Sequence, residues 1–77
     1  MPTEEETKKI KLMKLQKEYV KQSIDLLDEM IDLYDLLISS SDSVLSDTYL
    51  SRIEQNQQKI DENIKVIDDL DRILGNE

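Results

Sequence analysis

The sequence predicts an all-α protein: a two-helix antiparallel hairpin with coiled-coil-like packing, assembling as a homodimer into a four-helix bundle. Three observations carry that expectation. Apolar residues recur at spacings of three and four along two long stretches, the period of one face of an α-helix. A single turn-like cluster, Ser39-Ser40-Ser41-Asp42-Ser43, separates the two stretches. One segment, Ile24 to Ile38, has ten apolar residues among fifteen, an arc too wide for one neighbouring helix to cover.

Helix 1 is expected over residues 3–38. Thr3 stands where a capping residue belongs, Glu6 follows three residues later as in a capping box, and Glu4, Glu5 and Glu6 sit at the positive end of the helix dipole. No breaker follows before Ser39, so the helix spans about 52 Å at 1.5 Å per residue. Two apolar lines run along it. One is Ile10, Met13, Lys17, Val20, Ile24, Leu27, Ile31, Tyr34 and Ile38, interrupted only by Lys17, whose stem can snorkel to the surface. The other is Leu12, Gln16, Tyr19, Ser23, Leu26, Met30, Leu33 and Leu37, which turns polar at Gln16 and Ser23. The cleaner first line reads as the seam against helix 2. That leaves Leu26, Met30, Leu33 and Leu37 uncovered and available for association.

The turn is expected at residues 39–43, where Ser and Asp compete for backbone hydrogen bonds and cap the helix that follows. Two long helices joined by so short a link lie antiparallel. Helix 2 is expected over residues 43–74, with Gly75-Asn76 as a left-handed C-cap. Its centre line is a strict seven-residue repeat, Ile53, Ile60, Ile67 and Leu74, flanked by Ile64 and Leu70 in the same seam. Asn56, Gln57 and Asn63 bring amides to the seam, a polar layer that fixes register at a cost in stability. Charge favours the same reversal. Residues 1–21 hold six Lys and four Glu, and residues 52–77 hold four bases and seven acids, so the hairpin lays Lys8 to Lys21 beside Asp61 to Asp71.

Composition narrows the function. Seventy-seven residues make one domain, residues 1–77, and its core must be aliphatic because Phe and Trp are absent. A chain this small needs a disulfide, a metal or a partner chain. It has no Cys, which removes the first, and the missing His and Cys disfavour a structural zinc and most nucleophile-and-base arrangements. The reading is therefore not an enzyme, with no metal and no cofactor. No apolar run reaches the length of a membrane span, the N-terminus is too acidic for a signal peptide, and a net charge of −8 disfavours direct nucleic-acid or anionic-membrane binding. A soluble cytoplasmic protein is the expectation.

What remains is a protein–protein interaction module, an assembly or adaptor subunit whose partner is itself or another helical protein. Its interaction face is read as Ile24, Leu26, Leu27, Met30, Ile31, Leu33, Tyr34, Leu37 and Ile38. Asp25, Asp28, Asp32 and Asp35 form an acidic face on the same helix. A solvated outer surface explains it, while an acidic inhibitor or DNA mimic that docks on a basic protein surface is the alternative use. A chaperone-like hairpin that shelters a partner's helix is a third reading.

Overall fold

The computed structural model describes residues 1–75 as two helices packed against each other, α1 (Glu4–Ser39) and α2 (Ser43–Gly75). Among the described residues there is no strand. α1 starts where Thr3, in extended conformation, accepts a hydrogen bond from the Glu6 N–H at 3.1 Å. The reversal needs no left-handed residue. Ser40 leaves α1 in extended conformation, and the Asp42 carboxylate accepts from the Val44 and Leu45 amides at 2.9 and 3.4 Å, so Asp42 caps α2. Gly75 is the last residue of α2 and carries no positive φ, so it is not the left-handed cap expected of it; Asn76 lies outside the described residues.

The helices run antiparallel, as three cross-links show by their falling numbers. Gln16 donates to Asp71, Asn63 donates to Ser23, and Arg52 pairs with Glu29. The molecule is a rod of 60 × 19 × 13 Å with a radius of gyration of 17.7 Å, against about 11–12 Å for a compact domain of this length. A rod two helices thick has almost no interior. Four hydrophobic side chains are buried (Met30, Ile53, Ile60 and Leu70), and Leu26, Leu33 and Leu37 pack partly buried around the first three.

Burial follows a heptad on both helices. On α1 the covered positions are Leu12, Tyr19, Leu26 and Leu33 at d, with Gln16, Ser23, Met30 and Leu37 at a. On α2 they are Ser46, Ile53, Ile60, Ile67 and Leu74 at a, with Tyr49, Asn56, Asn63 and Leu70 at d; beside the seam Glu29 and Val66, both at g, are also partly covered. The seam of α1 is therefore the polar-interrupted line, not the cleaner one. Leu26, Met30, Leu33 and Leu37, expected to be uncovered, are the residues that α2 covers. Ile64, expected in the α2 seam, is exposed because it lies one residue past the d position of Asn63.

Hydrogen bonding explains the choice of stripe. Asn63 is 1 % exposed and donates to Gln22 Oε1 at 2.9 Å and Ser23 Oγ at 3.2 Å. Ser23 in turn donates to the Tyr19 carbonyl at 2.8 Å, and Gln16 reaches the Ile67 carbonyl at 3.2 Å. Against the other stripe, apolar but for Lys17, the buried Asn63 amide would lose these partners, at about 1–3 kcal/mol. Gln57, expected near the polar layer, points out and pairs with Asp61 on its own helix.

Among the described residues one buried amide stays unsatisfied. A heptad nearer the turn, Met30 takes the place of Ser23 and Asn56 that of Asn63, and the buried Asn56 Nδ2 has no hydrogen-bond partner. Replacing Asn56 with Leu is expected to raise stability by about 1–3 kcal/mol, read as a higher urea midpoint at unchanged slope. A lower midpoint would show that the Asn56 amide contributes more than it costs.

Candidate interaction face

Turning α1 by one residue moves about 100° around the helix. The residues that follow each a and d position are the b and e positions, and they carry the cleaner stripe: Ile10, Lys17, Ile24, Ile31 and Ile38 at b, and Met13, Val20, Leu27 and Tyr34 at e. All are exposed, Ile31 by 59 % and Ile38 by 82 %. The sequence-predicted interaction face thus divides in two. Leu26, Met30, Leu33 and Leu37 build the hairpin, while Ile24, Leu27, Ile31, Tyr34 and Ile38 stand on its outside.

Both flanks of the hairpin expose apolar side chains, Leu15, Leu36, Leu45 and Ile73 on the g side, but only the e side adjoins the exposed stripe. The Gln16–Asp71 hydrogen bond brings the e line of α2 (Leu50, Gln57, Ile64 and Asp71) to the same side as the exposed stripe. Leu50 and Ile64 are 44 % and 47 % exposed and extend the apolar surface across the groove. The opposite flank joins the g lines through Glu29 and Arg52, 2.7 Å apart. The Arg52 guanidinium beside it holds the Glu29 carboxyl below its ordinary value. Glu29–Arg52 is the one cross-helix ion pair among the described residues. The Lys and Asp expected to meet at the open end do not pair, because Lys11, Lys14, Lys17 and Lys21 occupy outward positions of α1.

The acidic residues are placed without convergence. Asp28 and Asp35 lie at f, beside the apolar stripe, and Asp25 and Asp32 lie at c, on the far side of α1; all four are exposed. Among the described residues no three acidic, His or Cys side chains come together as a metal site, and no helix is long and apolar enough to cross a membrane.

Surface area gives the same contrast. The hairpin exposes 6165 Å², roughly 1,300 Å² more than a compact monomer of its mass. A standard interface takes about 800 Å² from each partner. Comparison with protein families, with curated proteins and with solved structures gives no match.

Proposed function

We propose that the chain is a non-enzymatic interaction module, an assembly or adaptor subunit that binds a helical partner along the outer stripe of α1. The observation that supports this most is the continuity of that stripe. Over residues 10–38 every b and e position but Lys17 is apolar and exposed, along about 42 Å of helix. Scattered exposed hydrophobics are ordinary, but a contiguous patch marks a surface that is covered in use. Its regular spacing of three and four suits another helix better than an extended peptide or a small molecule. The lack of His and Cys and the thin rod shape favour assembly over catalysis.

The test is melting temperature over a hundredfold range of concentration, together with binding of a hydrophobic dye. Association through the stripe gives a melting point that rises with concentration. A stripe kept open for a different protein gives a constant melting point with strong dye binding. A constant melting point with no dye binding ends the proposal.

A further inference from the structure

Resting on that reading, we infer that the helix covering the stripe is α1 of a second copy of this chain, antiparallel to the first and in one register. Charge complementarity along the stripe's margin carries the inference. With b and e as seam positions, the f residues form the outer margin: Lys14, Lys21, Asp28 and Asp35, all exposed and none in an ion pair among the described residues. Two bases are followed by two acids at seven-residue steps, a pattern complementary to itself only when reversed.

The hairpin supplies the ruler. In its antiparallel seam an a residue lies level with a d residue, as Ser23 does with Asn63. Applied to the outer stripe, the same rule sets Ile24 level with the partner's Leu27. Ile31 then meets the partner's Val20, and Ile38 the partner's Met13. On the margin Lys14 faces the partner's Asp35 and Lys21 the partner's Asp28, giving four pairs by symmetry.

Lys17, the one interruption of the stripe, falls level with the partner's Tyr34 in this register. A lysine stem can lie along an apolar surface with its ammonium over a tyrosine ring. Each competing arrangement brings like charges together. Shifting by a heptad one way sets Lys21 against the partner's Lys21, and shifting the other way sets Asp28 against the partner's Asp28. A parallel pair stacks Lys17 on the partner's Lys17.

The experiment reverses the margin. One variant carries Lys14→Glu and Lys21→Glu; the other carries Asp28→Lys and Asp35→Lys. All four positions are exposed, so circular dichroism should show both hairpins folded. Wild type is expected to sediment at twice its 9.0 kDa mass. Each variant alone should dissociate at least tenfold more readily, because four attractive pairs become repulsive ones at a few tenths of a kcal/mol each. Mixed one to one, the two variants regain four opposite-charge pairs, and the dimer should return to within about threefold of wild-type affinity.

Two results overturn the inference: variants that dimerise as tightly as wild type, or weakened variants that mixing does not rescue. Wild type that stays monomeric throughout overturns it as well. In that last case dye binding to the monomer separates the failures. A monomer that binds dye keeps the docking face and loses only the second copy, whereas one that does not loses both.

Discussion

Met30→Asp is expected to unfold the protein, with helical circular dichroism lost at room temperature and no dimer at any concentration. Met30 is 6 % exposed and belongs, with Ile53 and Ile60, to the small group of buried hydrophobics that holds the helices together. A carboxylate there is either buried without a cation or forces the seam apart, and the Glu29 carboxylate next to it is already committed to Arg52. Costs of this kind reach about 3–5 kcal/mol. A chain of this length has about 4–12 kcal/mol of stability in total, and a two-helix rod belongs at the low end of that range. Met30→Leu is the control: it conserves volume and should cost less than about 1.5 kcal/mol. A folded Met30→Asp with normal helicity would mean that the two helices are held mainly by something other than this seam.

The hairpin itself was legible in the sequence, since the three-four spacing, the Ser-rich break and the Thr3 cap are local signals and each lies within a few residues of what it specifies. The facing of α1 was not. α1 carries two stripes about 100° apart, and the more apolar one was the natural choice for a hydrophobic seam. The decision belongs to Asn63, forty residues from Ser23, and to the Ile67 carbonyl and Asp71 that receive Gln16. A signal is available in Asn63: of the two α1 stripes, the one through Ser23 sets a hydroxyl level with it, whereas Asn56 meets Met30 and gains no partner. Ile64 misleads for a related reason. It sits between Ile60 and Ile67, but the strict repeat through those two assigns the seam position to Asn63 and leaves Ile64 on the rim. The acidic residues carry no comparable signal, because a charge on an outward position reads the same whether it meets water or a partner.

Ile31→Asp, one residue from Met30, is expected to do the opposite of Met30→Asp: the helices remain and the association is lost. Ile31 is 59 % exposed and lies at a b position, outside the seam with α2. In the isolated hairpin the change is a surface substitution, worth within about 0.5 kcal/mol apart from a small difference in helix propensity. On the outer stripe it sets a carboxylate in the middle of the apolar line, where docking a helix would desolvate it without a base to pair with. A protein that associates there should therefore fall to monomer mass while its circular dichroism at low temperature stays close to wild type. Its melting point should drop to a value independent of concentration, since the contribution from association disappears by mass action. The pair separates folding from binding at adjacent residues because the two faces of α1 are a single step of the helix apart. If Ile31→Asp keeps wild-type mass and melting behaviour, the outer stripe of α1 is not the surface through which this chain associates. If it unfolds as Met30→Asp does, the hairpin has no stability of its own and forms only together with its partner.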